Sequence, residues 1–163
     1  MEDLFASPGS GWTRVSPRLA AVRRTLLGLF AAAALVGLLV VAVVTPVPVP
    51  AVAGLALVLA AAAAWAWWLI GRSVSYWGYA EQEDELHITK GMWFRRLVVV
   101  PYGRMQYVDI HAGPLEQLVG IAQVQLHTAS PGTSATIPGL TAGEAARLRD
   151  RLTALGQTQG AGL

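Results

Sequence analysis

Acidic residues are concentrated in one stretch of the chain, where Glu81, Glu83, Asp84 and Glu85 lie almost side by side. Paired carboxylates can act as general acid and base in catalysis, or can bind a cation. Acidic residues at a polar turn are far more often solvated, because nothing buries them. We therefore interpret this stretch as an exposed turn and predict no catalytic residue in it.

Three histidines, His87, His111 and His127, alternate with apolar residues in segments that resemble β-strands. Neighbouring strands could bring two imidazoles together on an outer sheet face, where they could bind a metal ion. A metal centre also needs further ligands and groups that orient them, and the chain contains no cysteine. We expect surface histidines, with no metal site and no cofactor.

Basic side chains that follow the acidic stretch form the set with the clearest chemistry. If two successive strands bring them together, they attract anionic lipid headgroups or an acidic partner, at ~1 kcal/mol for each side chain near an anionic membrane. Alternatively, Arg96 or Arg104 pairs with Asp109 or Glu116 and stabilises the sheet. The candidate lipid- or partner-binding residues are Lys90, Arg95, Arg96 and Arg104.

Several classes of function are disfavoured by what the sequence lacks. It contains no nucleophile-elbow, P-loop, zinc-protease or dinucleotide-binding motif. Without cysteine it can form neither a disulfide nor a thiolate metal site. A net charge of +2 is too small to indicate nucleic-acid binding. We therefore predict a protein that is not an enzyme and does not bind nucleic acid.

Two long apolar runs, residues 25–44 and 51–70, precede this chemistry, and neither contains an acidic, basic or histidine residue. Each run of about 20 residues makes a helix of ~30 Å, which is the thickness of a bilayer core. Residues 45–50 between them read TPVPVP and must interrupt the helix, because proline has no backbone N–H to donate. The sequence therefore predicts a transmembrane hairpin over residues 25–70.

Two other interpretations of the apolar runs fit less well. A signal peptide has a shorter apolar segment, of ~7–15 residues, and no second run follows it at once. A buried hairpin of a soluble protein would need more covering sequence than the rest of this chain supplies. We therefore expect both runs to be in contact with lipid.

Charged and aromatic residues flank the hairpin in a pattern typical of membrane-interface anchors. By the positive-inside rule, the basic residues on both sides indicate a multi-pass protein of the cell membrane with both termini in the cytoplasm. Tryptophans near the end of the second run are typical of an interfacial belt; an aromatic ligand cage is the alternative, but no polar groups accompany it. The predicted anchors are Arg23, Arg24, Trp65, Trp67, Trp68 and Arg72.

After residue 71 the pattern changes to short segments of alternating apolar and polar residues, which predict six or seven antiparallel strands. Leu86 and Ile88 are typical inward-facing positions, and residues 97–100 form a β-branched run expected to be covered on both faces. Pro101 should end a strand or lie at a sheet edge, where a partner strand could pair. A further turn is predicted at residues 130–133.

One amphipathic helix ends the predicted domain. Thr141 is a candidate N-cap, Glu144 completes a capping-box pattern, and Gly156 fits the position after the last helical turn. A run of strands followed by one helix indicates an α+β domain. The predicted organisation is a cytoplasmic leader over residues 1–24, the hairpin, a β domain over residues 72–156 and a flexible tail over residues 157–163.

The order of these segments and their local motifs resemble those of the YdbS-like family of bacterial membrane proteins with a pleckstrin-homology-like (PH-like) domain. The resemblance covers nearly the whole chain. It implies a membrane-anchored α+β protein, in which a small antiparallel β-barrel or sandwich is capped by a C-terminal helix, and it does not imply an enzyme. The segments that carry it are residues 12–19, 84–91, 95–108, 113–122, 137–140 and 144–149.

Three functions are compatible with this organisation. The favoured one is a docking or scaffold module that contacts membrane lipid, other membrane proteins or a second copy of itself, because confinement to a membrane raises effective concentration. An accessory subunit of a transport or export complex is the alternative, since Gly28, Gly37 and Gly54 permit close helix packing. An enzyme acting at the membrane surface is the weakest, because no nucleophile–base pair is recognisable.

Overall fold

The structure is a computed structural model of the chain, and it describes residues 11–128 and 134–160. The chain divides into two compact units. The first, called here the β unit, contains the described residues up to Leu19 together with those from Ser73 onwards, and the second, the helical unit, is Ala20–Arg72. The β unit is therefore made of two segments of the sequence, one before and one after the helical unit.

Two long helices, α1 (Arg18–Val44) and α2 (Val49–Val74), form the helical unit and extend slightly beyond it. Both are longer than the predicted apolar runs: α1 begins at Arg18, because residues 18–24 are rich in good helix formers such as alanine, leucine and arginine, and α2 continues to Val74. The proline-rich connection interrupts the helix as predicted. Pro50 already lies in the first turn of α2, where a missing N–H costs nothing.

Both helices are long and apolar enough to cross a membrane, and no part of either apolar window is buried inside the structure. A core helix of a soluble protein would be covered by other parts of the chain. The exposed faces of α1 and α2 therefore favour lipid as their surroundings, in agreement with the predicted hairpin.

Within the described residues, seven strands form two antiparallel sheets. The first sheet has the order β1 (Thr13–Arg14), β2 (Gly78–Glu81), β3 (Glu85–Lys90) and β4 (Arg96–Pro101). The second has the order β5 (Met105–His111), β6 (Ile121–Thr128) and β7 (Ala135–Thr141). Three further elements are a 3₁₀ turn (Tyr102–Arg104), the short helix α3 (Pro114–Leu118) and the last helix α4 (Ala142–Gly160). The sheets are not closed into a barrel, so the β unit is a PH-like sandwich with a C-terminal helix, as predicted.

The core of the β unit follows the predicted alternation. Leu86 and Ile88 of β3 are fully buried, whereas His87 between them is only half-buried, and Val124 and Leu126 of β6 are equally inaccessible. The apolar face of α4 covers the same core, which confirms the predicted amphipathic helix. The residues of that face with no exposed surface are Ala145, Leu148 and Leu152.

The prediction that residues 97–100 are covered on both faces is wrong. Val100 is fully buried, but Val99 is 36% exposed. The physical reason is that β4 is the last strand of its sheet and only one of its faces packs on the core. Pro101 ends this edge strand, as its missing N–H requires.

The predicted leader is not separate from the β domain. Thr13 and Arg14 form β1 and pair with Tyr79 and Gly78 of β2. The Ser16 N–H donates a hydrogen bond of 2.8 Å to the Gly139 carbonyl. A strand of two polar residues carries no alternation signal, so sequence pattern could not reveal that this stretch belongs to a sheet.

The last helix is longer than predicted and does not end at Gly156. It continues to Gly160, so the predicted flexible tail begins as helix. A side-chain carbon at position 156 would lie 3.7 Å from the Tyr102 carbonyl oxygen, an ordinary contact, so the position packs near the 3₁₀ turn without requiring glycine. Residues 161–163 and the predicted turn at 130–133 lie outside the described residues.

Candidate functional site

Three of the four basic residues selected from the sequence lie together at one end of the first sheet. Lys90 ends β3 and pairs in register with Arg96, which begins β4. Arg95 lies in the connection between the two strands. We call residues 90–96 the hairpin tip. Its cations also contact aromatic rings: the Lys90 ammonium lies 5.7 Å from the Trp77 ring centroid, a cation–π distance.

Arg104 lies apart from the hairpin tip. It ends the 3₁₀ turn, which follows β4, and a six-residue strand spans ~20 Å. Within the described residues, neither Arg96 nor Arg104 forms an ion pair with Asp109 or Glu116. The Asp109 carboxylate instead lies 3.6 Å from His127 Nε2. The Glu116 carboxylate accepts a hydrogen bond of 2.8 Å from the Gly113 N–H. The alternative structural role of these two arginines is therefore not seen.

Two large aromatic side chains project from the hairpin tip, and sequence reasoning missed them. Trp93 is 78% exposed and Phe94 is 92% exposed. Gly91 adopts a φ of 101°, and a side-chain carbon there would collide with the Phe94 carbonyl, so the turn requires glycine. The available signal was two bulky aromatic residues inside a turn between strands, where no core position exists to receive them.

The predicted interface anchors come together at one end of the helical unit. The Arg24 guanidinium of α1 lies 5.1 Å from the Trp67 ring centroid of α2, and Arg72 lies 5.4 Å from the Trp68 ring. The rings of Trp65 and Trp68 are 6.1 Å apart and tilted by 54°. Basic heads stacked on indole rings are suited to the headgroup layer, where both a charge and an amphipathic ring are favoured.

Arg23, the remaining predicted anchor, is half-buried next to Arg24 in α1. Gly71 of α2 leaves the space that the Arg24 side chain occupies, since a side-chain carbon at Gly71 would collide with that guanidinium. A basic side chain of α1 therefore crosses onto α2 at this end of the hairpin. The role of these residues as membrane anchors stays a prediction.

The histidines have local partners, and His87 is not the surface residue expected from the sequence, because only 12% of its side chain is exposed. His87 lies 2.6 Å from the Glu85 carboxylate, and the His127 ring stacks on Tyr107 with the ring centroids 4.2 Å apart. His111 lies 4.0 Å from Asp109. In the parts of the chain that the structure describes, no three histidine, aspartate or glutamate side chains form a group that could hold a metal ion.

Part of the acidic stretch belongs to a charged network between β2 and α4. Arg147 donates hydrogen bonds of 2.6 Å to both Glu81 and Glu144, and Arg151 forms an ion pair with Glu81 at 3.1 Å. The buried Tyr79 hydroxyl donates to Glu144 at 2.6 Å. The interpretation of Glu81 as part of a solvated turn is wrong, because its side chain is only 14% exposed and carries two arginine partners. The network joins β2 to α4 and so helps to hold the last helix on the first sheet.

This network gives the β unit an expected acid sensitivity. Hydrogen bonds from Arg147 and then Tyr79 lower the pKa of Glu144 to about 2, from an ordinary value of 4.5. A carboxylate with a lowered folded-state pKa stabilises the fold above its ordinary pKa, and that contribution is lost as the pH falls through the folded value. We expect the free energy of unfolding to fall by about 1–3 kcal/mol between pH 4.5 and 2. The loss is smaller than the full pKa shift implies, because solvent screens the charge of a side chain that is 29% exposed.

Pulse proteolysis of the full chain in mild detergent, over a series of urea concentrations at each pH, measures this loss. Glu144→Gln should lower stability at neutral pH and flatten the acid dependence. Glu83→Gln is the matched control, because Glu83 is exposed and should leave the profile unchanged. An acid profile that is the same in Glu144→Gln as in the parent chain would contradict the assignment.

Comparison with known proteins agrees with this architecture. A family model for the bacterial PH domain matches residues 19–155. The UPF0699 transmembrane protein YdbS of Bacillus subtilis (strain 168) is 36% identical over 98 residues, which are 54% of this chain and 60% of that protein. The chain thus covers less than two thirds of the length of that relative. No solved structure matches. The resemblance inferred from the sequence motifs is confirmed.

Proposed function

The chain belongs to the bacterial PH domain family, and on this basis we propose that it is a docking module, held at the cytoplasmic face of the cell membrane by α1 and α2. In this arrangement both termini lie in the cytoplasm and only the proline-rich connection faces outward. A PH-like domain in such a protein fits a binding role rather than catalysis. The comparison with a transmembrane relative supports the membrane location.

The observation that carries the proposal is the edge strand β4. It is the last strand of the first sheet, and within the described residues no strand pairs with its outer side. Unpaired N–H and C=O groups at such an edge can pair with an extended segment of another protein, which is a common mode of peptide recognition. Val99 adds an exposed apolar side chain to this edge.

Attachment to the membrane makes a weak edge contact sufficient. A partner confined to the same membrane meets this edge at a high effective concentration, so overall binding can be strong without a large interface. This reasoning favours a partner that is itself a membrane or membrane-associated protein.

We expect Val99→Lys to abolish partner binding through β4, because a charged side chain on an edge strand opposes pairing with another chain. Crosslinking in intact cells, followed by purification in mild detergent, measures the captured partner. Leu118→Lys is the matched control, since it adds the same charge to a side chain of α3 that is 81% exposed. Equal capture by the parent chain and both variants would contradict docking at β4.

A role as accessory subunit of a membrane complex is the second candidate, and one observation favours it. A side-chain carbon added at Gly28, Gly37 or Gly54 would meet nothing within 4 Å. These small positions are therefore open within the helical unit, and another membrane helix could approach them closely. Neither span carries a polar residue over the predicted runs that could handle a substrate, so transport by this chain alone is disfavoured.

An exchange of the hairpin separates the two candidates. Residues 25–70 are replaced by an unrelated two-helix hairpin, which keeps the domain at the membrane and preserves the connection between β1 and β2. Capture that survives this exchange but not Val99→Lys supports docking by the β unit. Capture that is lost on exchange and retained in Val99→Lys supports the subunit role.

A further inference from the structure

We propose that the hairpin tip enters the anionic leaflet of the membrane in which the chain is anchored, with Trp93 and Phe94 in the interfacial layer and the flanking cations on lipid phosphates. The proposal rests on the proposed membrane anchorage but not on docking through β4. It adds a second, lipid-binding surface to the β unit.

The exposure of the two aromatic rings is the first argument. Phe94, at 92%, is the most exposed of the large apolar side chains in the described part of the chain, and Trp93 beside it is 78% exposed. Keeping two adjacent large rings in water is unfavourable, whereas the membrane interface favours aromatic side chains, tryptophan above all. The glycine conformation at Gly91 fixes the turn that presents both rings.

The charge around the rings is the second argument. Lys90, Arg95 and Arg96 flank them, and no acidic residue occurs in the sequence between Glu85 and Asp109. Each basic side chain near an anionic membrane favours the bound state by about fivefold, so three together favour it by on the order of 100-fold. Aromatic rings bordered by cations fit an anionic membrane interface, since the rings favour the headgroup layer and the cations favour the lipid phosphates.

The third argument is the contact of the tip with residues that directly follow α2. Lys90 lies over Trp77, and the Arg95 guanidinium lies 5.8 Å from the Tyr76 ring centroid. Tyr76 follows the end of α2 by only two residues, and an extended chain covers at most ~3.6 Å per residue. The cations of the tip therefore contact aromatic residues that follow α2 directly in the sequence.

The test uses the full chain in lipid nanodiscs. Because the chain has no cysteine, Phe94→Cys gives a single site for an environment-sensitive fluorophore, and Leu118→Cys gives the control site on α3. In nanodiscs that contain phosphatidylglycerol, we expect the label at position 94 to shift to shorter wavelength and to be quenched by lipid-attached spin labels. The label at position 118 should remain accessible to aqueous iodide.

A second variant tests the cations while the labelled site is kept. The change Lys90→Gln, Arg95→Gln and Arg96→Gln in the Phe94→Cys chain should abolish quenching by lipid, as should replacement of phosphatidylglycerol by phosphatidylcholine. Three results would overturn the proposal: iodide quenching at position 94 equal to that at position 118, lipid quenching that is indifferent to both changes, or a spectral shift that depends on protein concentration and so reports a second copy.

The same experiment leaves the proposed docking function separately testable. The nanodiscs contain no candidate partner, only their scaffold protein, so a failed insertion bears only on the hairpin tip. Loss of partner capture in Val99→Lys bears only on β4.

Discussion

Replacement of Leu148 by alanine should lower the free energy of unfolding of the β unit by about 2–5 kcal/mol. The Leu148 side chain has no exposed surface and lies on the apolar face of α4, between the equally buried Ala145 and Leu152. Its loss removes apolar contacts and leaves a cavity that the two rigid sheets can fill only in part. For a small domain this is a large share of the total stability.

Leu118→Ala provides the matched control, because the same chemical change occurs at a side chain that is 81% exposed. We expect a change within ±0.5 kcal/mol at that position. Urea-dependent pulse proteolysis of the full chain in detergent compares the two variants directly. Similar stabilities for Leu148→Ala and Leu118→Ala would show that α4 does not cover the core in the way described.

The second large effect is expected at Gly139 of β7, where Leu19 in the first turn of α1 packs on the sheet. Gly139 has a φ of 69°, and a side-chain carbon there would lie 2.8 Å from the Leu19 Cβ, which has no room to move because Leu19 is itself buried. Gly139→Ala therefore incurs both the cost of a left-handed backbone, about 1 kcal/mol, and that of overpacking, about 1–3 kcal/mol. We expect a total loss of about 2–4 kcal/mol in the stability of the β unit.

Gly120→Ala separates these two costs. Gly120 has nearly the same φ, 70°, but the nearest atom to an added carbon is the Arg18 guanidinium at 3.6 Å, an ordinary contact. It should lose only the backbone contribution of about 1 kcal/mol. Hydrogen exchange adds a local measurement, since the Ser16 amide that bonds to the Gly139 carbonyl should lose protection only in Gly139→Ala. Equal losses in the two glycine variants would contradict the close contact with Leu19.

Much of the fold is predictable because its signals are local. The two spans follow from uninterrupted apolar runs, and Leu86 and Ile88 follow from alternation with a period of two. The last helix follows from leucines at helical spacing. By contrast, β1 depends on pairing with Gly78 and Tyr79, which lie beyond both spans in the sequence. The five residues of α3 are too few for any periodicity to be recognised.

The candidate site was predictable only in part, for similar reasons. Lys90 and Arg96 could be placed together because they close one hairpin, but grouping Arg104 with them ignored the length of the strand between. The partnership of Glu81 with Arg147 joins positions 66 residues apart and has no local signature. Phe94 did have a signal. It lies in a turn, whereas the core residues on either side lie in strands.

The pairing of β1 with β2 has a consequence for the order in which the protein is made. β1 is synthesised before the first span and β2 after the second, so the first sheet can be completed only when both helices have left the ribosome. The contact between Arg24 and Trp67 shows that the hairpin returns its two ends to neighbouring positions, which reduces the entropy cost of joining such distant strands. Folding should therefore follow a fixed order, with synthesis of both long helices preceding completion of the first sheet.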